Sequence, residues 1–135
     1  MIQQLTIHSR GAGLTDFTRD VNDVVASSQV DEGLCTIFLK HTSASLIIQE
    51  NADPDVQLDL ENFFARLVPE NDPMYRHTAE GPDDMPAHIK TALTSNSLSI
   101  PIFNQRLVLG TWQGIYLWEH RRHSTHRQVV VHVGG

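Results

Sequence analysis

The groups most able to do chemistry lie close together between Tyr75 and Lys90, in YRHTAEGPDDMPAHIK. His77 and His88 supply imidazoles, Glu80, Asp83 and Asp84 supply carboxylates, and almost no apolar periodicity accounts for them. Neutral imidazole ligates zinc and related ions, and it also moves protons near neutral pH. The two histidines are too far apart for a finger-type zinc motif, but the stiff Gly81-Pro82 turn between them can fold the loop back on itself. A metal site would need a further ligand from elsewhere in the chain.

Two other stretches could provide it. GTWQGIYLWEHR, Gly110 to Arg121, reads as an apolar strand ending in three different ionisable groups. At the mouth of such a strand a carboxylate can orient a metal-binding imidazole, which makes His120 the candidate third ligand. The alternative is a structural Glu119–Arg121 pair with His120 facing water. In HTSAS, His41 stands beside the hydroxyls of Thr42, Ser43 and Ser45, a combination that can hold phosphate oxygens and makes His41 the main rival of His120. The bland reading is a bulge that satisfies its own backbone. His120, His123 and His126 spell H-x-x-H-x-x-H, yet on a strand that spacing alternates faces, so His123 and His126 are expected to be solvated turn residues. Arg121 and Arg127 remain reasonable anion contacts, because a guanidinium grips an oxyanion with two donors.

These groups need a scaffold, and period-two apolar runs supply most of it. Ile2 to His8, Leu34 to Lys40, Ala44 to Gln49, Ser97 to Phe103, Leu107 to Leu109, Gly114 to His120 and Gln128 to Val133 read as strands. Without a bulge, Cys35, Ile37, Leu39, His41, Ser43 and Ser45 would share one face. Pro101 places its strand at an edge or bulge, and Asn104-Gln105-Arg106 suits a hairpin turn. Thr18 can cap a helix that buries Val21, Val24 and Val25, with Gly33 near its exit. Asp53-Pro54 opens a second helix with an expected buried stripe of Val56, Leu60, Phe63, Phe64 and Leu67. A third helix runs from Ala87 to Leu93, with Pro86 in its first turn, Asp83 or Asp84 as cap and His88 near its start. The fold class is α+β, two layers of mainly antiparallel sheet with inserted helices.

Composition narrows the function. The 135 residues suit one domain, residues 1–135, with one core. A formal charge of -6 argues against bulk electrostatic binding of nucleic acid, so any anion must be held locally. The single Cys35 sits in an apolar run and reads as a structural thiol. No apolar run is long enough for a membrane span and no signal-peptide pattern follows Met1, so a cytosolic protein without a membrane partner is expected.

HTSAS, ENADPDVQLDLENFF, RHTAEGPDDMPAHIK and LGTWQGIYLWEHR, taken in this order, resemble the YjbQ-like family, labelled secondary thiamine-phosphate synthase. The motif positions are His41, Thr42 and Ser43; Glu50, Asn51 and Asp53; His77, Glu80, Asp83, Asp84 and His88; and Gln113, Glu119, His120 and Arg121. The resemblance implies a small α+β domain, a homotrimer, a histidine-lined metal site and a weak capacity to make thiamine phosphate. On that reading His77, His88 and His120 hold a divalent ion, with zinc favoured and magnesium the alternative. His41, Thr42, Ser43 and Arg121 would grip a phosphorylated small molecule, and Asp84 or Glu119 would transfer a proton. A non-catalytic protein that binds a metal or phosphometabolite at the same site is the competing expectation.

Overall fold

A computed structural model describes residues 1–135. The strands are Ile2–Ser9 (β1), Gly13–Asp16 (β2), Glu32–Leu39 (β3), Ala44–Glu50 (β4), Ser97–Phe103 (β5), Arg106–Leu107 (β6), Gln113–Glu119 (β7) and Thr125–Gly134 (β8); β2 is not among the expected runs, and the run expected over Leu107 to Leu109 forms only the two-residue β6. The helices are Thr18–Ser28 (α1), Pro54–Leu67 (α2) and Asp84–Leu93 (α3). All strand pairs are antiparallel, in a five-stranded sheet ordered β1-β8-β3-β5-β6 and a three-stranded sheet ordered β2-β7-β4. The inward residues Cys35, Ile37, Leu39, Ile100, Ile102, Val129, Val131 and Val133 of the larger sheet meet Leu46, Ile115 and Leu117 of the smaller one. Val21, Val24 and Val25 of α1 complete this core. The α+β class is as read from the pattern, and no helix is long and apolar enough to cross a membrane.

The chain leaves the larger sheet at Leu39 and enters the smaller one at Ala44. The single face expected from Cys35 to Ser45 is therefore broken at the segment that holds His41, Thr42 and Ser43. The expected Asn104-Gln105 turn is present, with φ of 53° and 60°, the left-handed pair that a tight hairpin requires. Pro101 lies on a strand flanked outwardly only by the two-residue β6, close to the expected edge.

Three helix details differ from the pattern reading. Thr18 is the first helical residue and not the cap: Asp16 Oδ1 accepts its N–H at 2.9 Å, and its hydroxyl oxygen accepts the Ile115 N–H at 2.8 Å. Gly33 lies in β3 rather than at a helix exit, and a Cβ there would come 2.0 Å from the Gly134 carbonyl oxygen. Asp53 caps α2 as expected, accepting the Asp55 N–H at 2.9 Å, but the expected buried stripe is not buried. Phe63 and Leu67 remain 51% and 54% exposed. The helix rests on the outer face of β7 through Phe64, whose ring centroid is 4.7 Å from that of Trp118, and Glu61, which accepts the Trp118 indole N–H at 3.0 Å. Those anchors fix its rotation and leave the Phe63 side uncovered.

Candidate metal centre

Helix α3 starts at Asp84, earlier than expected, and this sets the geometry of the site. Asp84 and His88 are one turn apart on one helix face, with Asp84 Oδ2 3.1 Å from His88 Nε2. The loop before the helix turns back at Gly81, where φ is +105°, and returns His77 so that its Nε2–H donates to the same Asp84 oxygen at 2.6 Å. The ligand atoms of His77, Asp84 and His88 all lie within 4.8 Å of one another. Asp84 is 3% exposed at its side chain, while His77 and His88 are 45% and 31% exposed. A buried carboxylate thus carries two accessible imidazoles, and a cavity of about 290 Å³ opens beside His77.

Arg121 holds this arrangement from behind. Its Nη1–H donates to Asp84 Oδ1 at 2.6 Å, its Nε–H to Asp83 Oδ2 at 3.1 Å and its Nη2–H to the Glu80 carbonyl at 3.0 Å. Asp83 sits at the cap position of α3, but its carboxylate receives Arg121 and the Arg122 backbone N–H instead of a helix amide. Burial pushes the Asp84 carboxyl upward, but the His77 hydrogen bond and the charges of Arg121 and His88 outweigh it and hold the group below the usual carboxylate range. Asp83 is likewise lowered, its burial outweighed by the Arg122 backbone and Arg121 contacts. Both acids are therefore anions at neutral pH.

The donor set suits a divalent ion. His88 Nδ1 lies 2.8 Å from the Thr42 carbonyl, which can only accept, so Nδ1 carries a proton and the ring is oriented by that bond. His88 Nε2 then faces an anionic oxygen at 3.1 Å, which requires either a second proton or a cation shared by the two atoms. Two imidazoles and one carboxylate match the ligands of open zinc sites, whereas magnesium prefers an all-oxygen shell.

The remaining candidates fall into a second network. His120, the expected third ligand, does not join the His77 cluster: it is 3% exposed, points away from the core beneath α3, and its Nε2 is 2.9 Å from Ser45 Oγ. Strand alternation explains this, because Tyr116 and Trp118 lie on the outer face of β7, a side that His120 continues one residue past its end, while Ile115, Leu117 and Glu119 face the core. Burial, helped by the charge of Lys90, lowers the His120 pKa to about 3, so the ring is neutral, and its Nδ1 has no partner. Glu119, expected at a strand mouth, is fully buried; it accepts hydrogen bonds from Arg127, Thr125, Ser9 and the Arg121 backbone. Its structural partner is thus Arg127 and not Arg121. Arg127 also donates to Ser43 Oγ at 2.9 Å, so this buried guanidinium is committed to structural partners and is not an open anion contact. His41 Nε2 accepts the Gln128 N–H at 2.8 Å, and burial followed by the Arg127 charge lowers its pKa. Thr42 reaches the cluster only through its carbonyl.

His123 lies in an exposed bend as expected, but His126 belongs to β8, where it is exposed and packs edge-on against His8 with ring centroids 4.4 Å apart. Glu50, Asn51 and Gln113 tie loops together: Glu50 accepts the Ala52 and Asp53 N–H groups, Asn51 donates to the Thr111 and Gln113 carbonyls, and Gln113 accepts the Gly110 N–H. The pattern reading missed the Glu119–Arg127 pair. Its signal was Arg127, a charge at a core-facing position two residues before Val129.

Fold and site together define a small two-sheet α+β domain with a His–Asp–His cluster fit to hold a metal. The chain belongs to the UPF0047 family: the model described as "UPF0047 protein YjbQ-like" matches residues 3–135. UPF0047 protein sll1880 of Synechocystis sp. is 60% identical over 131 residues, 97% of this chain and 89% of that protein. UPF0047 protein YjbQ of Escherichia coli O157:H7 is 42% identical over 132 residues, 97% and 95% of the two chains. Among solved structures, a YjbQ/UPF0047 family protein from Clostridium acetobutylicum superimposes with a TM-score of 0.87 at 36% identity, covering 99% of each chain. The conserved hypothetical protein TT1486 of Thermus thermophilus does so at 0.88 and 33% identity, covering 98% of this chain and 99% of that one. The names of these relatives state no activity.

Proposed function

We propose that the chain is a metal-dependent enzyme acting on a small phosphorylated molecule, with a divalent ion, zinc favoured, on His77, Asp84 and His88. The observation that carries this reading is the Thr42-oriented His88 ring, whose free nitrogen faces the Asp84 oxygen that also meets His77. A bound ion would supply Lewis acidity and an open position for a phosphate oxygen or water. Arg121 fixes Asp84 as an anion, and His77, the most exposed of the three, leaves the ion's open side facing the cavity and solvent. Thr42, exposed beside His88, offers its hydroxyl to a phosphate. The finer reading follows the resemblance: a thiamine-phosphate synthase-type transfer that joins hydroxymethylpyrimidine diphosphate to thiazole phosphate and releases diphosphate, as a side activity. We also propose a homotrimer as the working unit.

A second reading, metal or phosphometabolite binding without turnover, draws support from one feature: both Asp84 oxygens and the whole Glu119 carboxylate are already engaged. Elemental analysis and turnover assays on wild type, His88→Ala and His77→Gln decide between them. Metal in wild type and its loss in both variants are expected; turnover by metal-loaded wild type that disappears with the metal favours the enzyme, and metal-loaded wild type without turnover favours binding alone. A wild type that binds no divalent ion removes the metal-dependent enzyme, and one that also binds no phosphorylated small molecule removes the second reading.

A further inference from the structure

The cavity beside His77 carries a carboxylate that the metal cluster does not use. Asp72 is its one formally charged lining residue apart from the imidazole of His77, and neither lysine nor arginine lines it. Asp72 is held in place: its Oδ1 accepts the Met74 N–H at 2.9 Å and its carbonyl accepts the Tyr75 N–H at 3.1 Å, while Oδ2 has no protein partner. Tyr75 is fixed as a wall by its hydroxyl, which donates to the Pro69 carbonyl at 2.9 Å, and Met85 adds an apolar surface. Asn71 and Thr78 contribute neutral polar groups at the rim. Arg121 and Arg122, which lie nearest the acidic loop, are committed to Asp83 and Asp84 and to Glu70, and Arg76, between Tyr75 and His77 in sequence, is exposed and outside the cavity lining. A carboxylate beside an aromatic side chain, in a lining without lysine or arginine, selects for positive charge on a flat group.

We infer that this cavity is a subsite for a small ring bearing a cationic nitrogen group, which pairs with Asp72 Oδ2 and lies against Tyr75, and that it excludes anionic rings. The inference rests on the metal-centre reading for its place in a larger ligand: the oxyanion end meets the ion on His77, Asp84 and His88, and the cationic ring occupies the cavity. At about 290 Å³ the space takes one ring with a substituent.

Three probes of matched shape test it: benzamidine, benzamide and benzoate, titrated by calorimetry into the full-length protein and its Asp72→Asn variant. The asparagine Oδ1 can still accept the Met74 N–H, so the turn is retained. Wild type is expected to bind benzamidine more tightly than benzamide and benzoate least well, and Asp72→Asn is expected to weaken benzamidine about tenfold without changing benzamide. Saturable benzamidine binding that is absent, matched by benzoate, or insensitive to Asp72→Asn overturns the subsite. Elemental analysis of the same samples separates the two claims. Benzamidine selectivity in a protein that takes up no divalent ion removes the metal reading and keeps the subsite, and the reverse removes only the subsite.

Discussion

At the residue scale, the two clusters respond to change in different ways. His88 meets Asp84, the Thr42 carbonyl and the edge of the His77 ring, and it fills no core, so His88→Ala should strip the metal and leave the melting temperature nearly unchanged. Metal affinity should also fall on acidification, because protonated imidazole cannot ligate; titration with zinc at several pH values checks this. The buried pair behaves otherwise. Glu119 titrates near 4.5 unfolded but at about 2 in the fold, since the desolvation that raises it is outweighed by Arg127, Thr125 and the Arg121 backbone. A lowered carboxylate pKa stabilises above the unfolded value, so about 3 kcal/mol is present at neutral pH and is lost as pH falls from 4.5 toward 2. Arg127→Met should cost about 3–5 kcal/mol, because it leaves the Glu119 charge buried without its partner. Urea denaturation at pH 7 and pH 3 measures both; a loss in Arg127→Met that is equal at the two pH values would contradict the charge argument.

At the element scale, what was legible in the sequence was local, and what was not depended on which neighbour a side chain met. The Asp53 cap and Asn104-Gln105 turn follow from backbone chemistry within a few residues, and both are present. Asp53→Ala should accordingly destabilise by about 1 kcal/mol in chemical denaturation. His77 and His88 were legible as partners because the Gly81 turn is local. The place of His120 was not, because period two puts it on the opposite face of β7 from Glu119, and only packing beneath α3 shows which face is which. Asp83 could be read as a cap from its position, but Arg121, distant in sequence, claims its carboxylate. The H-x-x-H-x-x-H run misleads for the same reason, since His120 is buried while His123 and His126 are exposed. Replacing His123 and His126 together by Gln should leave metal content unchanged by elemental analysis, and loss of metal would place the last hairpin over the site.

At the scale of the whole molecule, apolar surface left open by the fold argues for association. The outer face of the five-stranded sheet carries Leu34, Phe38 and Phe103, each about half exposed at 45%, 46% and 55%, with no helix against them. The Phe63 and Leu67 side of α2 is uncovered as well. The apolar stripe expected to be buried on α2 is not buried within this chain, and its Phe63 and Leu67 side is one of the two open apolar faces. Exposed large apolar side chains grouped on one element mark contact sites, and closed symmetry is the usual way a chain covers its own. Light scattering should return the mass of three chains at micromolar concentration. Phe63→Asp with Leu67→Asp tests the helix face, and Phe38→Asp with Phe103→Asp tests the sheet face, each checked by circular dichroism for a retained fold. The pair that lowers the mass identifies the contact, because a buried carboxylate without a partner is costly at an interface and harmless on a solvated surface. A wild type that scatters as a monomer would remove the trimer, and both faces would then have to be covered by another kind of partner.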